Sequence, residues 1–141
     1  MSVYADSSFI VSLYIEDAHS TEAEDRMKEN PHVWFTPLHF AECSHAIAGQ
    51  VFLSKMSLAD ADAVFKILEA DRAGASWLES GIPENAFELC ADLGRRYAPK
   101  LGIRTIDTLH VACALELKAE RFWTFDDRQA KLAKSQGIKT L

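Results

Sequence analysis

The sequence predicts an α/β protein: an α/β/α sandwich around a central, mostly parallel sheet of four to five strands. Three observations predict it. Short apolar stretches of strand composition alternate with helical stretches. Cap residues and prolines separate many of these stretches. No linker, repeat or low-complexity segment interrupts the series, so residues 1–141 read as one domain. Strands that alternate with helices pair in parallel, because each helix returns the chain to the edge where the previous strand began.

The elements follow in order. "SVYA" (2–5) has strand composition, and "SSFIVSLYI" after it reads as a helix or helical turn. Residues 18–29 form a polar helix that Asn30-Pro31 stops. "HVWF" (32–35) is the second strand. Thr36-Pro37 supplies an N-cap and a first-turn proline for a helix to about Leu53. Ser57, with Asp60 three residues on, opens a helix to about Ala70. "ASWLE" (75–79) is a short strand, and Pro83 opens a helix to about Tyr97. Thr105 caps a helix to about Lys118. "RFWTF" (121–125) is the fourth strand, Asp126 to Ser135 a helix, and "IKT" (138–140) a final strand.

Composition bounds the function. The chain is 48% hydrophobic and 26% charged, proportions that suit a globular domain with a core of its own. No apolar run approaches the ~20 residues of a membrane span. The N-terminal "MSVYADSSFIVSLYI" lacks a basic leader and carries Asp6, so it reads as fold rather than signal peptide. Cys43, Cys90 and Cys113 are odd in number and widely spaced, which suits reduced thiols and a cytoplasmic location. The net charge of −6 argues against a generic nucleic-acid binder. The charge is uneven, however. Residues 1–94 hold five Lys/Arg against 16 Asp/Glu, whereas residues 95–141 hold ten against five. A local basic surface in the last third is therefore available to a polyanion, although solvated helix faces would give the same count.

Four carboxylates stand alone in apolar elements. Asp6 is the only charged residue between Met1 and Ile15, Glu42 between Thr36 and Leu53, and Asp107 between Thr105 and Leu115. Asp126 ends the uncharged aromatic run Phe122–Phe125 of the fourth strand. Burying such groups is costly without compensation. Taken singly, Asp6, Asp107 and Asp126 fit helix caps or first turns. Glu42 lies past the first turn and resists that explanation. In a parallel sheet, strand carboxyl ends and helix N-termini share one edge, so the four acids can converge. Converging carboxylates need a cation, and oxygen-only ligands suit Mg²⁺ or Mn²⁺. Such a centre polarises a phosphate and activates water for phosphodiester hydrolysis.

The series "YADSSF", "TPLHFAECSHAI", "TIDTLHVACALEL" and "FWTFDDRQAKLAKSQGIKTL" resembles the PIN-domain nucleases, most of all VapC-type toxins of toxin–antitoxin pairs. The resemblance spans essentially the whole chain, with the motifs in order. It implies Mg²⁺- or Mn²⁺-dependent cleavage of RNA that leaves a 5′-phosphate and a 3′-hydroxyl. It makes Asp6, Glu42 and Asp107 the core acidic metal ligands and Asp126 the fourth, more variable acid. Thr124 matches a hydroxyl residue that orients ligands or substrate, and Ser7 a small hydroxyl beside the first acid. Asp127 has no counterpart and is expected at the surface. Ser44-His45 depart from the basic or asparagine residue common after the acid matching Glu42. The resemblance also implies a cognate antitoxin and a homodimer. Its antitoxin groove would fall at Val51, Phe52, Leu53 and Met56, with Val64, Phe65 and Leu68.

Other signals weigh less. Arg95, Arg96, Lys100 and Arg104 precede the Asp107 helix and are candidates for RNA phosphate contacts. His39 with Cys43, and His110 with Cys113, have helical spacing, but no C-x₂-C pair accompanies them, so core packing is expected rather than zinc. His110, three residues after Asp107, could orient it. No G-x-S-x-G elbow supports a serine hydrolase, and Ser8 stands where an aspartyl-nucleophile phosphatase needs its second acid. Two alternatives stay open: a catalytically weak binding module in a regulatory complex, and an RNA-processing nuclease outside any toxin system.

Overall fold

The computed structural model describes residues Met1–Leu141. In chain order it contains β1 (Ser2–Ala5), α1 (Ser7–Val11), α2 (Ser20–Met27), β2 (His32–Phe35), α3 (Pro37–Phe52), α4 (Leu58–Ala73), β3 (Leu78–Glu79), α5 (Ala86–Leu101), α6 (Thr105–Glu116), β4 (Arg121–Trp123) and α7 (Asp127–Ser135). The four strands lie in the order β3-β2-β1-β4, and every pairing is parallel. Val3 sits opposite Val33 on one side, and Tyr4 opposite Phe122 on the other. Two helices fill each crossover between consecutive strands. No helix is long and apolar enough to cross a membrane.

Alternation along the strands makes the sandwich. Val3 and Ala5 of β1, Val33 and Phe35 of β2, and Trp123 of β4 pack with α1, α3 and α4. Tyr4 and Phe122, one residue out of phase, pack with α5, α6 and α7. Each face therefore has its own core, and β1 and β4 are walls of both. Full burial of a side chain such as Phe122 contributes about 2–3 kcal/mol.

The strand order creates a switch point. The chain leaves β1 for β2 on one side and later supplies β4 on the other. The crevice of such a sheet opens at the carboxyl end of the central strands. Here that end is Ala5-Asp6, and the Asp6 amide bonds to the Trp123 carbonyl (3.0 Å).

Several boundaries differ from the sequence expectation. The "IKT" strand is a single parallel bridge, Arg121 to Lys139. "ASWLE" contributes only Leu78–Glu79, because Ala75 adopts a left-handed backbone (φ 58°) just after α4. β4 stops at Trp123: the Asp126 amide donates to Thr124 Oγ1 (3.0 Å), and this turn breaks the strand two residues early. The helix placed at Pro83–Tyr97 runs from Ala86 to Leu101. It passes Pro99, which costs one backbone hydrogen bond near the helix end. Gly102 then closes it in a left-handed conformation (φ 62°), its amide on the Ala98 carbonyl (2.9 Å). Arg104, not Thr105, occupies the N-cap of α6, without a side-chain cap bond.

Candidate active site

Asp6 is held by the first turn of α1. Its Oδ1 accepts from the Phe9 amide (3.1 Å) and its Oδ2 from Ser8 Oγ (2.7 Å). It is 6% exposed, and both of these partners are uncharged. Burial pushes its carboxyl above the ordinary value. Donation by Ser8 and Phe9 and the pull of His110 oppose this, and the Glu42 charge adds to it.

Glu42 reaches the same edge from α3. Its Oε1 accepts from Ser7 Oγ (2.8 Å) and lies 2.5 Å from His110 Nε2. The buried His110 ring also places Nδ1 2.9 Å from the Tyr4 hydroxyl. Its Nε2–H donates to Glu42, and the Tyr4 hydroxyl holds the ring at its other nitrogen. Burial raises the Glu42 carboxyl, but hydrogen bonding and attraction from His110, with the Ser7 donation, outweigh it and hold the group below its ordinary value. His110 thus orients Glu42, not Asp107 as its sequence position suggested.

Asp107 lies in the first turn of α6, where the helix dipole favours it. Its Oδ2 pairs with Arg104 Nε at 3.4 Å. A cavity of about 400 Å³ is lined by Glu42, Arg104, Thr105, Ile106 and Asp107, so two of the acids face one space. Asp6 does not line this space; its neighbour in the chain, Ser7, bonds to Glu42.

Asp126 behaves as the N-cap of α7. Its Oδ1 accepts from the Arg128 and Gln129 amides (2.8 and 3.0 Å), and its Oδ2 lies 3.5 Å from Arg128 Nη2. Asp127 is exposed at the start of the helix, as expected. Thr124 is buried, and its hydroxyl donates to Gln129 Oε1 (2.7 Å). Gln129, fully buried, passes its own Nε2–H to the Asp107 carbonyl (3.2 Å). The chain Thr124–Gln129–Asp107 therefore ties the end of β4 to the first turn of α6. Gln129 gave no sequence signal, because an amide in a polar helix reads as surface.

His39 is a second unforeseen support. Its Nδ1 accepts from the Thr36 amide (2.9 Å), and its Nε2 lies 2.8 Å from the Ala5 carbonyl. It braces the residue before Asp6 against the start of α3. Burial, with the neighbouring His110, lowers its pKa to about 3, so the ring is neutral. Cys43, Cys90 and Cys113 are buried free thiols. Burial, with Glu42 and Asp6 nearby, pushes Cys43 up to about 12, which keeps it from acting as a thiolate.

The basic candidates divide. Arg104 is largely exposed beside Asp107. Lys100 lies on the last turn of α5, and the short Gly102 turn brings that end to the start of α6. Arg95 and Arg96 are exposed further back, with Arg96 paired to Asp92 (3.1 Å). Arg128, missed in the sequence, donates to the Gly102 carbonyl (3.4 Å) and joins the Lys100–Arg104 group.

The donor set suits a hard cation by its chemistry. It offers carboxylates and hydroxyls without a thiolate, and it includes a buried carboxylate raised by burial and a like charge. No three acid, histidine or cysteine side chains are gathered as a closed metal cluster. As placed, each acid turns at least one oxygen to protein donors.

The fold and site define a parallel α/β/α protein with an acidic crevice at its switch point. The sequence model of the PIN domain matches residues 3–135, and the chain belongs to that family. A sequence comparison with curated proteins finds no match. Solved structures share the fold. FitAcB from Neisseria gonorrhoeae aligns with a TM-score of 0.74 at 14% identity, over 99% of this chain and 96% of that one. VapC20 from Mycobacterium tuberculosis, a sarcin-ricin loop cleaving toxin, aligns at 0.69 and 15% identity, over 96% and 95%. VapBC2 from Rickettsia felis, bound to a promoter DNA fragment, aligns at 0.66 and 13% identity, over 100% and 98%.

Proposed function

We propose that the protein is a Mg²⁺- or Mn²⁺-dependent endoribonuclease, the toxin of a toxin–antitoxin pair. The observation that carries this reading is Asp6, a buried carboxylate without a cationic partner, on the same edge as Glu42 and Asp107. Asp6, Glu42 and Asp107 would hold the ion, with Asp126 adding negative charge from the α7 cap. Such an ion supplies charge neutralisation at the phosphate and a lowered pKa for water.

The rest falls to the chain. Ser8 and the Phe9 amide fix one face of Asp6. Ser7 and His110 aim Glu42, and Tyr4 holds the His110 ring in place. Arg104, freed from Asp107 by an incoming phosphate, would hold that phosphate in the cavity. Lys100 and Arg128 extend the basic strip along the strand. A scissile phosphate so held is aligned for in-line attack by water.

The α3–α4 hairpin supports the partner. Phe52, Leu53, Leu58 and Ile67 are exposed there, whereas Leu68 belongs to the core and Val51, Met56, Val64 and Phe65 pack against it. An antitoxin segment would cover the exposed set. FitAcB and VapBC2 belong to the same comparison and favour this reading.

The test is Asp107→Asn. We expect it to lose Mn²⁺ binding by calorimetry and to lose RNA cleavage, with an unchanged circular dichroism spectrum. Cleavage at the wild-type rate would sink the assignment.

A further inference from the structure

An aromatic column reaches the surface beside the acids. Trp123, at the end of β4, packs on Phe9 with ring centroids 5.3 Å apart. Phe9 stacks on Phe125 at 5.4 Å, with 16° between planes. His19 then lies flat over Phe125 at 4.2 Å and 7°. His19 is exposed, and one face of its imidazole rests on Phe125. The loop beneath it is pinned: Asp17 accepts from the His19 amide (2.8 Å) and from Ser12 Oγ (2.9 Å).

The column belongs to the edge that carries the carboxylates. Phe125 sits between Thr124 and Asp126, and the Phe9 amide donates to the Asp6 carboxylate. The stack lies on the α1 face of the sheet. Arg104, at the N-cap of α6, and Arg128, in α7, belong to the α5–α7 face, and Asp6 follows the last residue of the central strand β1 between the two faces. Glu16, Asp17, Glu22 and Glu24 lie within five residues of His19 in the chain, a local excess of negative charge that disfavours a phosphate, while the face of a base carries no charge.

We propose that His19, backed by Phe125, is a nucleobase platform. It takes the face of one unpaired base of an RNA strand whose phosphates lie over the basic strip, and it prefers a purine for its larger stacking area. This rests on the ribonuclease reading.

The experiment uses the full chain with Ca²⁺ in place of Mg²⁺. Fluorescein-labelled oligoadenylate and oligouridylate, each about 12 nucleotides long, are titrated by anisotropy. The wild type is expected to bind oligoadenylate more tightly. His19→Ala is expected to weaken oligoadenylate binding about tenfold and oligouridylate binding less, and His19→Tyr to restore the preference. The salt dependence of binding stays unchanged in both variants, because no phosphate contact is lost. If His19→Ala keeps the wild-type preference, or only melts earlier, His19 is a loop clip and the inference fails while the nuclease reading stands. If the wild type binds neither polymer and cleaves no RNA with Mg²⁺ or Mn²⁺, the nuclease reading fails and takes this inference with it.

Discussion

Asp6 shows what a buried carboxylate without a cationic partner does to the protein that carries it. Ionised, it is buried beside Glu42 and held only by neutral donors. Its pKa is raised on folding, so the folded state binds the proton more tightly than the unfolded chain. The ionised form therefore lowers stability above the folded pKa. That cost shrinks as pH falls through the folded pKa and is gone below the unfolded value. Asp6→Asn keeps an oxygen for the Phe9 amide and removes the charge. At neutral pH it should raise stability on the order of 1 kcal/mol in urea unfolding while abolishing cleavage. A variant no more stable than wild type at pH 7 would show that Asp6 is a cap and nothing more.

At the scale of elements, strand ends and helix starts are joined by side chains far apart in sequence. Gln129 of α7 holds Thr124 and the Asp107 carbonyl together. Gln129→Leu leaves a buried hydroxyl and a carbonyl short of partners, costing about 1–3 kcal/mol. With α6 untethered, Mn²⁺ affinity should fall about tenfold by calorimetry, the scale seen for groups that orient ligands. Unchanged affinity would confine Gln129 to packing. The same distances explain what could be read in advance. The parallel α/β order and most helix starts were legible, because caps, prolines and apolar runs are local. So were the lone acids, since a charge in an apolar element stands out. The ends of β4 and α5 were not, because a threonine turn and a late proline read as the opposite of what tertiary packing makes of them. Nor were the partners of the acids: His110 meets Glu42 across 68 positions, and no local pattern announces that.

For the whole molecule, acid is the relevant stress. His39 is neutral in the fold with a pKa of about 3, against an ordinary 6.5. The unfolded chain takes up its proton first, so this contribution is full above 6.5 and is lost as pH falls towards 3. The slope is at most about 1.4 kcal/mol per pH unit. Urea midpoints should drop between about pH 7 and about pH 5, and His39→Gln should flatten the drop. An equally steep decline in His39→Gln would assign the acid sensitivity elsewhere. The strand order has a consequence for how such a protein is born. β1 is made first but lies inside the sheet, and its neighbour β4 is residues Arg121–Trp123 of 141. During synthesis the chain carries Asp6 and Glu42 long before Trp123 arrives to close the edge beside Asp6. The end of β1 therefore takes this neighbour only after Trp123 has been made. The α3–α4 hairpin, with Phe52 and Leu53 exposed in the finished fold, emerges well before that, so this apolar surface is made while the sheet still lacks a strand.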